Sequence, residues 1–73
     1  MMKMTYDPEA DAVYIRVSSN AIKETEESGL LVYDLDADGR IVGIEIFPAS
    51  AKLAPGDWQQ APLPSGRSAD AAE

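Results

Sequence analysis

The sequence predicts a mainly β protein: a small antiparallel four-stranded β-meander, followed by a short C-terminal helical turn and a disordered tail. Three observations lead to this prediction. Apolar and polar residues alternate with strand period in short segments, turn-forming residues separate these segments, and three of the five prolines fall in the last part of the chain. A chain of 73 residues makes one domain at most. We therefore predict a β domain over residues 1–53 and a disordered, Pro/Ala-rich tail over residues 54–73.

The first two predicted strands form a hairpin near the N-terminus. Apolar and polar side chains alternate over residues 2–6 and again over residues 12–17, which is the period of a half-buried strand. Between them, Asp7-Pro8-Glu9-Ala10-Asp11 predicts a turn, because proline is already set for its first corner. Apart from Ile22, residues 22–28 are polar or charged, and such a segment suits a sheet edge or an extended crossover.

The strongest apolar segments lie on either side of a second predicted turn. Residues 30–35 and 40–47 are typical of strands. Between them, Asp36-Ala37-Asp38-Gly39 suits a type I turn with glycine in the left-handed position, the common three-residue hairpin loop with a bulge. Pro48 ends the last strand, and residues 49–53 are expected to add a single helical turn.

A three-residue loop with a glycine bulge also predicts which residues of the second hairpin face each other. The predicted pairs are Leu35 with Ile41, Tyr33 with Gly43 and Leu31 with Glu45 on one face, and Asp34 with Val42, Val32 with Ile44 and Leu30 with Ile46 on the other. Both faces are then partly apolar, and a sheet that is apolar on both faces must cover both. We therefore predict a homodimer, with an interface drawn from Tyr14, Arg16, Leu31, Tyr33, Leu35, Ile41 and Phe47.

Residues 34–45 also match the ligand pattern of a calcium-binding EF-hand loop, which supplies the alternative prediction of a metal site. Its ligands would be Asp34, Asp36, Asp38, the carbonyl of Arg40 and Glu45. The flanking residues oppose this reading, because a helix leaving the loop would carry Pro48 in its interior at a cost of about 3 kcal/mol. We predict a β-turn at this position, with no bound metal and no cofactor.

A second group of carboxylates, Asp7, Glu9 and Asp11, surrounds the first predicted turn. Paired carboxylates can serve acid/base chemistry, but a general acid needs a pKa raised by burial, and a hairpin tip is an exposed position. We therefore expect a solvated turn. A hydrolase built on these three residues is a third hypothesis.

The composition excludes several classes of function. The chain has no histidine and no cysteine, which removes disulfides, thiolate or imidazole metal sites and every histidine-based catalytic scheme. Its net charge of -7 repels a nucleic-acid backbone and complements a basic protein. The apolar run at residues 30–33 is far too short to span a membrane. We therefore predict a non-enzymatic cytoplasmic protein with a basic protein partner.

The predicted tail contains one large apolar side chain, Trp58. Burying it against the domain would contribute roughly 1.5 to 3 kcal/mol, whereas a solvated tail would leave it exposed. The sequence alone leaves both arrangements open.

Two segments give the chain a family resemblance. The first is Tyr6-Asp7-Pro8-Glu9-Ala10-Asp11-Ala12-Val13-Tyr14-Ile15, and the second comprises Tyr33-Asp34 and Asp38-Gly39-Arg40-Ile41-Val42-Gly43-Ile44-Glu45-Ile46. With them, residues 2–53 resemble the small bacterial proteins grouped as domain of unknown function 2283. The resemblance implies a compact antiparallel β domain with no assigned catalytic residues. It further implies a gene beside that of a small toxin-like protein, which suits an antitoxin-like role.

Overall fold

The computed structural model describes residues 2–64, which form five antiparallel strands and two short helices. The strands are β1 (Lys3–Asp7), β2 (Ala12–Arg16), β3 (Glu24–Ser28), β4 (Leu31–Leu35) and β5 (Ile41–Ile46). The helices are α1 (Ala49–Lys52) and a 3₁₀ helix (Asp57–Gln60). The first of them confirms the predicted helical turn. The strands form a single sheet in the order β1-β2-β5-β4-β3. Neither helix is long enough to cross a membrane.

The sheet is antiparallel, as predicted, but it has five strands instead of four and is not a simple meander. The additional strand is β3, the charged segment that suits a sheet edge, and it does lie at an edge. The chain between β2 and β3 crosses to the far side of the sheet, so β2 pairs with β5 instead of with the next strand along. This order places the apolar strand β5 at the centre, where Val42 and Ile46 are buried, and leaves the glutamates of β3 in water.

The turn between β4 and β5 is the predicted hairpin loop with a glycine bulge. The Gly39 N–H donates to the Asp36 carbonyl at 3.0 Å, and the Asp36 N–H donates to the Arg40 carbonyl at 2.9 Å. Gly39 has a φ of 78°, in the left-handed region that glycine enters without a Cβ penalty. These bonds and this backbone angle confirm a three-residue loop over residues 37–39.

The predicted register of this hairpin holds next to the turn and fails one residue further on. The observed pairs are Leu35 with Ile41, Asp34 with Gly43, Tyr33 with Ile44 and Val32 with Glu45. Only the first pair matches the prediction, because Val42 is an extra residue in β5, a β-bulge without a partner on β4. Leu30 lies in the turn before β4 and pairs with no residue of β5. Since side chains alternate along a strand, the bulge changes which residues share a face.

The hydrophobic core lies on one face of the sheet, beneath the C-terminal part of the described chain. Val13, Ile46 and Ala49 are buried together. Ala49 is the first residue of α1, so the helical turn covers the contact between β2 and β5. Trp58 and Leu53 also pack against this cluster. The core is therefore small and lies over only part of the sheet.

Residues 54–64, which the sequence assigns to the tail, contact the sheet. The Trp58 ring meets the Tyr6 ring edge-on, with centroids 5.0 Å apart and an angle of 87° between the planes. The Tyr6 N–H donates to the Pro62 carbonyl at 2.9 Å, so this segment also lies along the outer edge of β1. The packed part of the chain thus extends beyond the predicted domain boundary. The rest of the predicted tail, residues 65–73, lies outside the described residues.

Candidate interaction surface

The carboxylate at the centre of the calcium-like loop serves the turn itself. Asp36 Oδ1 accepts the backbone N–H groups of Asp38 and Arg40 at 2.9 and 3.0 Å. Asp36 Oδ2 accepts the side-chain amide of Asn20 at 3.1 Å. Two hydrogen bonds lower the pKa of the Asp36 carboxyl. The bond from the Arg40 N–H has the larger effect, and the bond from the Asn20 side chain has the next largest. A shallow depression of about 200 Å³ beside the turn is lined by Asn20, Ala21, Asp36, Ala37 and Asp38.

Asp38 and Arg40 lie in the same turn as Asp36, but the two remaining residues of the calcium alternative lie in the strands. Asp34 lies in β4 and accepts hydrogen bonds from the Tyr14 and Thr25 hydroxyls at 2.6 and 2.8 Å. Glu45 lies within β5, well along the strand from the turn. Among residues 2–64, no group of three or more acidic side chains is placed to hold a metal ion. The calcium alternative is therefore unsupported.

The acidic turn between β1 and β2 is part of the framework. Asp7 is buried, and its Oδ1 accepts the backbone N–H groups of Glu9 and Ala10 at 3.1 and 3.4 Å. It therefore caps the turn, in the way expected of aspartate at such a position.

Asp11, the last carboxylate of that turn, joins it to α1. Its φ of 56° lies in the left-handed region, and its carbonyl accepts the Ala49 N–H at 2.6 Å. Its carboxylate accepts the Ser50 hydroxyl at 2.6 Å and the Tyr6 hydroxyl at 3.2 Å. The Ser50 hydroxyl lowers the pKa of the Asp11 carboxyl. A general acid needs the opposite shift, so the hydrolase hypothesis gains no support here.

Hydrogen-bonding side chains lie on one side of the sheet, here called the polar face. Tyr14 extends from β2 across Gly43 of β5, and its hydroxyl donates to Asp34 Oδ2 on β4. A Cβ at residue 43 would overlap the Tyr14 hydroxyl and ring. Burial, together with the hydrogen bond to Asp34, raises the pKa of Tyr14 to about 12. The sequence predicts that Tyr33 pairs with Gly43, and that prediction is wrong because the shifted register places Asp34 opposite this glycine.

Arg16, a predicted interface residue, is engaged within the chain. Its Nε donates to the Ser18 carbonyl at 2.6 Å, and its Nη2 donates to the Asn20 carbonyl at 2.8 Å. The guanidinium therefore fixes the connection that leaves β2. Tyr14 and Arg16 both make side-chain hydrogen bonds within the described chain, and their place in an interface stays a prediction.

The register places many large apolar side chains on the other side of the sheet, here called the apolar face. Its members are Met4, Tyr6, Val13, Ile15, Leu31, Tyr33, Leu35, Ile41, Ile44 and Ile46. The predicted faces are corrected here, because Tyr33 and Leu35 share this face with Ile44 instead of lying opposite it. The bulge at Val42 causes the difference, since it shifts the rest of β5 by one residue against β4.

The helices cover only one part of the apolar face. The buried cluster around Val13 includes Leu31 and Trp58 among the side chains packed on it. Four other side chains of the apolar face lie outside that cluster, and we call them the open patch: Tyr33, Leu35, Ile41 and Ile44. All of them retain exposed surface, and Ile41 is 45% exposed.

The open patch brings together three of the predicted interface residues, Tyr33, Leu35 and Ile41. Of the other predicted residues, Leu31 lies at the border between the open patch and the covered cluster. Phe47 follows β5 and is 53% exposed. Leu31 and the open patch form a continuous apolar region along β4 and β5.

The sheet lies in a part of the chain that matches a known protein family. The model of the family described as Protein of unknown function (DUF2283) matches residues 3–50. The chain belongs to the DUF2283 family. The matched range of this DUF2283 protein includes β1 to β5 and the first residues of α1, but not Trp58. Neither the curated proteins nor the solved structures contain a significant match.

Ile44 is the open-patch residue that the sequence argument assigns to the wrong face. The signal that could have identified it is Gly43, because a glycine inside a strand often marks a bulge. The contact between Asp11 and Ser50 has no comparable local signal, since these residues are 39 positions apart.

Proposed function

We propose that this DUF2283 protein is a non-enzymatic interaction module that self-associates through the open patch and binds a basic protein partner. The observation that carries the proposal is the open patch, the part of the apolar face that lies outside the cluster covered by the two helices. Exposed apolar surface that is continuous along two strands is typical of an interaction site.

A second copy of the chain is the occupant that best fits the open patch. Stable domains bury an apolar sheet face against a second layer, and the molecule measures 32 × 32 × 19 Å, so it is flat. Two-fold pairing would place one open patch on the other and give each sheet its missing layer. A short chain without disulfides also gains stability from association.

The non-enzymatic part of the proposal rests on how the carboxylates are used. Asp7, Asp11, Asp34 and Asp36 accept hydrogen bonds that hold turns, α1 or the polar face. The chain has no histidine or cysteine to act as a base or nucleophile. The net charge of -7 supports a basic partner, and neutralising a small basic toxin is one such role.

Self-association is tested with lysine substitutions on opposite faces of the same strand. Leu35→Lys places a charge in the open patch, whereas Val32→Lys places the same charge on the polar face of β4. Ile41→Lys provides a second open-patch variant at an exposed position, where folding is tolerant. Because a two-fold interface contains each substitution twice, we expect Leu35→Lys and Ile41→Lys to weaken dimerisation by about a hundredfold or more.

Sedimentation equilibrium measures the association, and circular dichroism checks that each variant is folded. The proposal expects a wild-type dimer, a Val32→Lys dimer and monomeric open-patch variants. A wild-type protein that stays monomeric at high micromolar concentration would refute it. Folded open-patch variants that dimerise as well as Val32→Lys would do the same.

A further inference from the structure

The two edges of the sheet differ in what covers them. At β1, the Tyr6 N–H donates to the Pro62 carbonyl, so the C-terminal segment already occupies part of that edge. At the other edge, β3 pairs with β4 on one side, and no strand within residues 2–64 pairs with its other side. All residues of β3 are exposed. The edge at β3 is therefore the open one.

The turn beside β3 identifies which backbone groups of this edge are open. Ser28 pairs with Leu31 across a two-residue turn that begins with Gly29, whose φ is 60°. Residues next to such a turn form a hydrogen-bonded pair, and hydrogen-bonded pairs then alternate along the hairpin. By this alternation, the N–H and C=O groups of Thr25 and Glu27 point away from β4.

The side chains of β3 define which strand can use these groups. Glu24, Glu26 and Glu27 give the edge three negative charges. Charged residues on an edge deter pairing with strands of like charge, so a second copy pairing through β3 would set glutamate against glutamate. A strand that carries lysine or arginine is instead attracted to β3, because opposite charges on neighbouring strands attract.

We propose that β3 accepts an extended basic segment of a partner protein as a sixth strand of the sheet. The inference rests on the proposed function, since it says where and how the basic partner binds. The partner strand would bond to the backbone of Thr25 and Glu27 and place basic side chains at every second position, beside Glu24 and Glu26.

The apolar face adds a reason for basic side chains in particular. Glu24 pairs with Leu35, and Glu26 pairs with Tyr33, so both glutamates border the open patch. A lysine or arginine of the added strand would contact a glutamate with its charged end. Its aliphatic stem would lie along the apolar surface beside the strand, as such stems commonly do.

The test uses a synthetic peptide of about seven residues, the length of an ordinary strand, in which lysine alternates with threonine. A matched peptide carries glutamate in place of every lysine. Binding to the full chain is followed by nuclear magnetic resonance, with amide signals and amide hydrogen exchange read residue by residue. We expect the lysine peptide to shift and protect the amides of Thr25 and Glu27, and the glutamate peptide to do neither.

Two pairs of variants separate strand addition from general charge attraction. Thr25→Pro removes an N–H that points away from β4, so it breaks no backbone hydrogen bond to that strand. Thr25→Ala is its control, because both variants lose the hydrogen bond that the Thr25 hydroxyl donates to Asp34. We expect Thr25→Pro to abolish binding and Thr25→Ala to retain it. Glu24→Gln with Glu26→Gln should weaken binding about tenfold, whereas Glu9→Gln with Asp57→Asn, which removes equal charge elsewhere, should not.

Several results would overturn the inference. These are no binding of the lysine peptide at high micromolar protein concentration, binding that leaves the Thr25 and Glu27 amides unchanged, and equal binding by Thr25→Pro and Thr25→Ala. Sedimentation of the same samples keeps the two proposals apart. A monomer that binds the peptide at β3 rejects self-association only, and a dimer that ignores the peptide rejects strand addition only.

Discussion

Gly43→Ala tests the contact that joins three strands on the polar face. Tyr14 reaches from β2 over β5 to Asp34 on β4, and it passes through the space that a Cβ at residue 43 would fill. The substitution adds a single methyl group. It must therefore displace the Tyr14 ring or move the backbone of β5.

The magnitude follows from what the displaced ring loses. Overpacking of this kind costs roughly 1 to 3 kcal/mol, and a hydrogen bond to a charged group such as Asp34 contributes roughly 1.5 to 3 kcal/mol. Alanine recovers about 0.5 to 1 kcal/mol, because glycine is unfavourable inside a strand. We expect a net loss of about 3 kcal/mol in the free energy of unfolding, which lowers the melting temperature by about 15 °C.

A double-mutant cycle with Tyr14→Ala measures the contact itself. Tyr14→Ala removes all three of the atoms that lie nearest to a Cβ at residue 43. Without the ring, Gly43→Ala should therefore be neutral or stabilising by about 0.5 kcal/mol. The expected coupling energy is therefore about 3 kcal/mol, read from urea unfolding followed by circular dichroism. A cost for Gly43→Ala that is the same with and without the Tyr14 ring would refute the reasoning.

Three further predictions concern the turn, the polar face and the C-terminal segment. Gly39→Ala should lower the free energy of unfolding by about 1 kcal/mol, since the φ of Gly39 is 78°. Gly56→Ala is the control and should have little effect, because Gly56 has an extended φ of 171°. Millimolar calcium should leave the melting temperature of the wild type unchanged. Because the pKa of Tyr14 is raised from 10.0 to about 12, stability should fall as the pH rises from 10 to 12, and Tyr14→Phe should lessen that fall in alkaline urea titrations. Trp58→Ala should cost about 2 kcal/mol, because it uncovers the cluster on which Trp58 packs, and an unchanged urea midpoint would contradict this.

Local patterns were sufficient for the elements that depend on neighbouring residues. Alternation indicates the strands around Tyr6, Val13 and Tyr33, and the Asp-Gly pair at the second turn indicates its loop type. Such features depend on strand period and on the backbone freedom of one glycine, which short segments of sequence carry. Charge led to two alternatives for the segment at residues 22–28, a sheet edge or an extended crossover, and β3 is an edge strand.

The order of the strands could not be read from the same patterns. Short connections favour neighbouring strands, which leads to a meander. A meander of all five strands would put the glutamates of β3 beside β2 in the interior of the sheet. The observed order avoids this cost by pairing β2 with β5. The decisive quantity is the burial of the whole sheet, which no single segment shows.

The predicted register and the predicted faces of the hairpin formed by β4 and β5 were wrong for a related reason. A single inserted residue, Val42, exchanges the two sides of β4 relative to β5, and alternation alone cannot show where an insertion lies. The docking of Trp58 on Tyr6 was equally open, because it depends on the path of the chain between them. Both features decide which apolar side chains remain uncovered, so the candidate surface needed the structure.

The two proposed surfaces adjoin, and this leads to a last prediction. Glu24 and Glu26 of β3 pair with Leu35 and Tyr33 of the open patch, so a strand added at β3 would lie at the rim of the dimer interface. Two binding events in contact are coupled, and each must change the other's affinity by the same factor. Because a dimer carries two β3 edges, saturating lysine peptide should change the dimerisation constant by the square of the factor by which dimerisation changes peptide affinity. Sedimentation with and without peptide measures the first quantity, and peptide titrations below and above the dimerisation range measure the second. A peptide affinity that is the same for monomer and dimer, with a dimerisation constant that the peptide leaves unchanged, would contradict a shared border between the two surfaces.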